Sequence, residues 1–296
     1  METLKVLIAT DGSQEASVAC RLLQLLSLPK GSAIHVISAI YVQPIYPEYH
    51  AAWQTMEQLF EYQREWAHET VRQTAEGLMR EGIEVTTSVP TGEPADAILR
   101  AAEAFDADLV VVGSRGLTGL EAFLLGSVAR SVAKRCQRPV LVARAPRNDL
   151  REVVVATDGS EHASHAVQFA ARLPLPGLTQ IAVVHAVQPH PGFPGVSPRE
   201  HGAHEAAAAE ARRKAEEIGA GVIAAAQERF NAAGRSARTE LRVGDPAAEI
   251  LRLTEERSAD LIVCGARGVS FIEGLLMGSV ADRLLRHAHC SVLIAH

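Results

Sequence analysis

The chain of 296 residues repeats itself once along its length. VLIATDGS at 6–13 returns as VVVATDGS at 153–160, so Asp11 and Asp158 lie 147 residues apart. VPTGEPADAIL at 89–99 is matched by RVGDPAAEIL, and ADLVVVGSRG at 107–116 by ADLIVCGARG at 259–268, both at a spacing of 152. Between 106–128 and 258–280, 12 of 23 positions are identical, which marks a duplication. The first copy is five residues shorter between its first and third strands. Two domains are expected, 1–147 and 148–296, with the cut near Arg147 to Leu150, where APRNDL separates two apolar strands. So short a linker predicts modules packed against each other.

Within each copy, apolar runs of strand length alternate with segments of helical period, a βα repeat. The first copy predicts strands near 4–9, 33–39, 83–88, 108–112 and 139–143, and helices near 14–27, 50–80, 94–105 and 127–137. The second predicts strands near 152–156, 180–187, 237–243, 260–264 and 291–295, with a long alanine-rich helix over 200–230. Strands such as LVVV and PVLVA are apolar on successive residues, as required where helices cover both faces of a parallel sheet. Ser13 and Ser160 stand as caps before the first helix of each copy, and Pro94 and Pro246 fall in the first turn of a later one.

The copies also share a glycine pattern. Gly113-Ser-Arg-Gly116, nine residues and Gly126-Ser127 correspond to Gly265-Ala-Arg-Gly268, nine residues and Gly278-Ser279. Glycines here let the backbone take positive φ and let a ligand reach the amides; their bland role is a tight strand-to-helix turn. Gly126 and Ser127 open one helix and Ser279 another, and free N-terminal amides there attract phosphate. Neither GxGxxG after the first strand nor GxxxxGK[ST] is present, which argues against a Rossmann dinucleotide site and a Walker NTPase.

On the opening strand followed by Asp, the Gly-x-Pro before the third helix and the Gly-x2-Gly-x9-Gly-Ser motif, each half resembles the universal stress protein family in its tandem form. The resemblance implies two tandem open α/β sandwiches, each a five-stranded parallel sheet in order 3-2-1-4-5 with helices on both faces. Ligands favour the crevice between strands 1 and 4 of such a sheet. It further implies an ATP site in each half, with Mg accompanying the nucleotide. Thr10 and Asp11 (Thr157 and Asp158) would stand near the adenosine, and Ala39 (Ala186) would face the adenine. Gly113 and Gly116 (Gly265 and Gly268) would approach ribose and phosphate, and Gly126, Ser127 and Val128 (Gly278, Ser279 and Val280) would cradle the phosphates. Arg115 and Arg267 either meet phosphate or are solvated at the loop tip. Asp11 and Asp158 either bind sugar hydroxyls or phosphate-bound Mg, or only cap the following turn. The sequence departs from the family in its small Ala39 and Ala186, and in Ala266 where the first copy has Ser114. The final strands PVLVAR and SVLIAH correspond to strands that pair between family modules, here within one chain, with a further homodimer left open.

The remaining features narrow the function. All four tyrosines and both tryptophans fall between Tyr41 and Trp66, a segment suited to core packing, to a lid over the first site or to an oligomer contact. His35 and His185 read as packed or hydrogen-bonded residues rather than bases, and the pairs His162/His165 and His201/His204 complete no metal pattern. The four cysteines lack CxxC pairing and read as reduced thiols. A formal net charge of -6 with scattered basic residues disfavours nucleic acid. The apolar runs fall well short of the roughly 20 residues needed to span a bilayer. No export signal is visible, and a cytoplasmic protein is expected. No catalytic constellation is assigned. The expectation is an ATP-binding, stress-response regulatory protein with an unidentified protein partner; the alternatives are a slow Mg-dependent ATPase or phosphotransfer enzyme and a nucleotide-free scaffold.

Overall fold

A computed structural model describes residues 2–41, 53–117, 125–144, 149–188, 201–269 and 276–296, without the side chains of 53–56 and 201–207. The first half runs β1 (Lys5–Ala9), α1 (Gln14–Leu25), β2 (Ala33–Ile37), α2 (Trp53–Leu78), β3 (Glu84–Ser88), α3 (Pro94–Ala104), β4 (Leu109–Gly113), α4 (Ser127–Arg135) and β5 (Val140–Ala143). The second runs β6 (Glu152–Ala156), α5 (Glu161–Arg172), β7 (Gln180–Val187), α6 (His201–Ala232), β8 (Arg238–Val243), α7 (Pro246–Glu256), β9 (Leu261–Gly265), α8 (Ser279–His287) and β10 (Ser291–Ala295). The expected domain cut at 147/148 lies outside the described residues.

Each half is a parallel sheet, in order β3-β2-β1-β4-β5 and its counterpart β8-β7-β6-β9-β10. The strands alternate their side chains between two helical layers. Val6 and Ile8 enter the core under α1 and α2 with Leu22, Leu23 and Val71, whereas Leu7 enters the opposite core with Ile98 and Val132 of α3 and α4. Each such fully buried side chain contributes roughly 1.5–3 kcal/mol. This two-sided burial is why the strands are apolar on consecutive residues. Helix starts follow the sequence: Ser13 accepts from the Ala16 amide and Ser160 from the Ala163 amide, and Pro94 and Pro246 stand in first turns. Helix α6 continues unbroken through Gly219 and Gly221.

The halves meet strand to strand. β10 pairs antiparallel with β5, Val292 opposite Val142 and Ile294 opposite Val140, so one ten-stranded sheet crosses the molecule. The fully buried Ser291 hydroxyl accepts from the Arg144 amide and donates to its carbonyl, both at 3.1 Å. The Arg144 guanidinium donates to the Leu285 and Ala288 carbonyls at the end of α8. Both apolar layers contain residues from both halves. Among the described residues no helix is long and apolar enough to cross a membrane.

Candidate functional site

The site begins at the turn after β1. Gly12 and its counterpart Gly159 hold φ of 78° and 79°, a left-handed conformation that disfavours side chains, so the chain reverses there into α1 and α5. Thr10 Oγ1 accepts from the Gly12 amide at 3.3 Å, and Thr157 Oγ1 from Gly159 likewise. The Asp11 carboxylate joins two segments: Oδ1 accepts from the Ser13 amide at 3.0 Å and Oδ2 from the Leu117 amide at 3.0 Å. Asp158 does the same with Ser160 at 3.0 Å and Val269 at 2.9 Å. Turn capping is thus realised in both halves, together with a tie to the loop after β4 or β9 that sequence spacing could not reveal.

Positive φ is not what the repeated glycines supply. Gly113, Gly116, Gly126, Gly265, Gly268 and Gly278 are absent from the left-handed positions, and what matters is the missing Cβ. A Cβ on Gly113 would lie 2.8 Å from the Glu15 carbonyl carbon, and one on Gly265 2.7 Å from the Ala163 amide nitrogen, because α1 and α5 start directly against these strand ends. On Gly116 it would lie 2.5 Å from Asp11 Oδ2, which makes Gly116 the surface on which the carboxylate rests. Gly126 packs over the Arg115 backbone, with its amide donating to the Ser114 carbonyl at 2.8 Å; Gly278 donates to Ala266 at the same distance. The Ser114-to-Ala266 change is neutral to this loop because the bond uses a carbonyl.

Gly126 and Gly278 are the N-caps of α4 and α8, and neither helix start has a side-chain cap. The opening N–H groups, at Ser127 and Val128 or Ser279 and Val280, therefore lack intrahelical partners and carry the positive end of the helix dipole. Arg115 pairs with Glu15 on α1, so its guanidinium is not at a solvated loop tip. The second half has His162 at the Glu15 position, and there burial, Arg267 and His165 lower the histidine's pKa.

These elements enclose a cavity of about 1120 Å³ in the first half. Thr10, Asp11, Ala39, Gly113, Arg115, Gly116, Gly126, Ser127 and Val128 all line it. Its base is apolar, with Ile37, Ile40, Ile98 and Val112, and Ser38 and Ala67 also face it. The wall is α2, which contributes Phe60, Tyr62 and Trp66, and Tyr41 follows β2. Tyr62 is 63% and Trp66 48% exposed, so this part of the aromatic segment is a cavity wall rather than core; Trp53 and Met56 lie outside the described side chains. Sequence reasoning missed Ser38 and Ala67, whose importance depends on α2 crossing the end of β2. In the second half Ala186 lies within β7, and Thr157, Asp158, Gly265, Arg267, Gly268, Gly278, Ser279 and Val280 recur at the matching turns.

His35 bonds the Thr86 and Ser88 hydroxyls, at 2.8 and 2.7 Å, and His185 bonds the Thr157 carbonyl at 2.8 Å. Among the described residues no three His, Cys, Asp or Glu side chains gather as a metal site. All four cysteines are free, and burial pushes Cys264 and Cys290 up to about 12.

The sequence profile described as the universal stress protein family matches residues 3–144 and again 150–296. Universal stress protein MJ0531 of Methanocaldococcus jannaschii is 34% identical over 149 residues, covering 49% of this chain and 84% of that protein. A crystal structure of a universal stress protein from Archaeoglobus fulgidus superimposes with a TM-score of 0.66 at 20% identity, over 100% of this chain and 99% of the other. The functionally unknown protein PA1789 of Pseudomonas aeruginosa gives a TM-score of 0.57 at 16% identity, over 99% and 92% of the two chains.

Proposed function

The chain belongs to the universal stress protein family in both of its halves, and on that premise we propose that it is a nucleotide-responsive regulatory protein of the cytoplasm, binding ATP in the crevice between β1 and β4. One observation carries the reading: all nine residues assigned to the first site from sequence line a single cavity. That cavity joins a polar end, with exposed helix-start amides, to an apolar end. Such a shape suits a ligand with an anionic tail and a flat heteroaromatic head.

Ser127 and Val128 would offer amides to the phosphates, and Asp11 would face the sugar. The donor set fits Mg held by phosphate oxygens with water between it and Asp11; it lacks the several protein oxygens of a dedicated cation cage. Among the described lining residues there is no histidine; the carboxylates are Asp11, which already accepts two amide bonds, and Glu57 on the α2 wall. The proposal is therefore binding that biases contact with a regulatory protein partner, with at most weak hydrolysis.

Protein purified under mild conditions, denatured and examined by mass spectrometry should release an adenine nucleotide. Gly126→Leu, whose Cβ would lie 3.2 Å from the Arg115 Cα, should release none while staying folded. If the unaltered protein neither carries nor titrates with any adenine nucleotide, the reading fails.

A further inference from the structure

The two crevices share their turns but not their base ends. Aligned through the first strands at a spacing of 147, Ser38 of the first half corresponds to His185 of the second. Aligned through the crossover helices at 152, Ala67 on α2 corresponds to Gly219 on α6. The helix alignment is confirmed by packing: Val71 and Ile223 are 2% and 5% exposed, Leu78 and Phe230 are both 0% exposed, and Thr70 and Val222 both lie against the glycine of the TDGS turn.

In the first half Ser38 and Ala67, 6% and 5% exposed, both line the cavity, so the space between the end of β2 and α2 borders it. In the second half that space is crossed by an imidazole. His185 Nδ1 is fixed to the Thr157 carbonyl at 2.8 Å, and its ring reaches the helix so closely that a Cβ on Gly219 would lie 2.7 Å from its Cδ2. Leu241 of β8 closes in beside it, with Cδ1 2.9 Å from the same point. The two replacements compensate: a larger side chain on the strand meets a residue with no side chain on the helix, where a Cβ would collide with the ring.

We infer that His185 fills the base pocket of the second half, so that the chain has one nucleoside-binding crevice, in the first half. This deepens and rests on the proposed nucleotide function. The phosphate end of the second crevice is retained, but a planar base has no room between β7 and α6 unless the imidazole leaves its bond to Thr157. That departure would leave the Thr157 carbonyl without its partner and empty a well-packed gap, both unfavourable. The wall diverges in the same sense: Phe60 and Tyr62 of the first half align with Arg212 and Lys214 of the second, whose charges pair along the helix with Glu216 and Glu210.

Isothermal titration of the full chain with Mg·ATP tests the inference. The unaltered protein should bind one ATP per chain. Ser38→His combined with Ala67→Gly should weaken that binding at least about tenfold, and His185→Ser combined with Gly219→Ala should raise the stoichiometry to two. Two equivalent sites in the unaltered protein would overturn the inference while leaving the nucleotide reading intact. A stoichiometry still at one in the folded His185→Ser, Gly219→Ala protein would overturn the role of His185. Absence of ATP binding in every protein, with cooperative thermal unfolding retained, would instead sink the functional proposal on which the inference stands.

Discussion

At the scale of single residues, identity in the two halves and role are separable. Asp11 was legible as important because it follows a strand twice, yet its two amide partners were not, since Leu117 is brought to it only by the sheet. The glycines were legible as a pattern and their reason was not: what Gly113 avoids is the backbone of Glu15 and Ala16, nearly a hundred residues earlier. Charged states can be read in the same local terms. His35, His162 and His296 all have lowered pKa values, in each case chiefly through burial, with His296 at about 4 against an ordinary 6.5. Nearby His162 and Arg267 deepen the shift at His296, whereas its bond to the Ala133 backbone opposes it. In the interval between about 4 and 6.5 the unfolded chain binds more protons at this residue than the folded one. This residue's contribution to stability is therefore present in full above about pH 6.5 and is lost as pH falls toward 4, by on the order of 3 kcal/mol. Urea titrations at a series of pH values should show that decline, and His296→Asn should flatten it; an unchanged slope would remove His296 from the account.

Among the elements, strands were the most legible and the crossover helices the least. β4, β5, β9 and, after Ser291, β10 are without polar side chains because both faces are covered, and their predicted positions agree with those observed to within a residue or so. β2 ends at Ile37 rather than at residue 39; the Ser38 amide still donates to the Ser88 carbonyl at 3.2 Å and Ile40 bridges to Thr91, while Ser38 and Ala39 line the cavity. α2 and α6 differ in length and composition, so their facing residues cannot be aligned until the buried Leu78 and Phe230 fix the register. The junction between halves is likewise made by elements rather than by the linker. Arg144 after β5 closes the last carbonyls of α8, and His296 after β10 bonds the Ala133 backbone in α4, positions related by the spacing of 152 in both partners. Arg144→Ala would leave the Leu285 and Ala288 carbonyls without these donors, a loss of about 1–3 kcal/mol. The midpoint of denaturant unfolding should fall accordingly, with little change in ATP affinity; an unaltered midpoint would show that water replaces the guanidinium at no cost.

Across the whole molecule, duplication has produced one continuous sheet. Because β5 and β10 run antiparallel while every other neighbouring pair is parallel, the strand ends that form the two crevices point in opposite directions. The crevices therefore open at opposite ends of the sheet, and a ligand in one does not touch a ligand in the other. The sequence repeat predicted two equal modules, and the βα order made the fold legible almost entirely. It did not disclose that the modules differ where a base would lie, because the difference resides in two residues, Ser38 and Ala67, paired only in three dimensions. A crystal structure of the full chain grown with Mg·ATP tests the central claim most directly. The account predicts phosphates against the Ser127 and Val128 amides, the base between Ser38 and Ala67, and His185 still on Thr157. ATP bound elsewhere on the chain, or a first-half cavity left without nucleotide at saturating concentration, would contradict it.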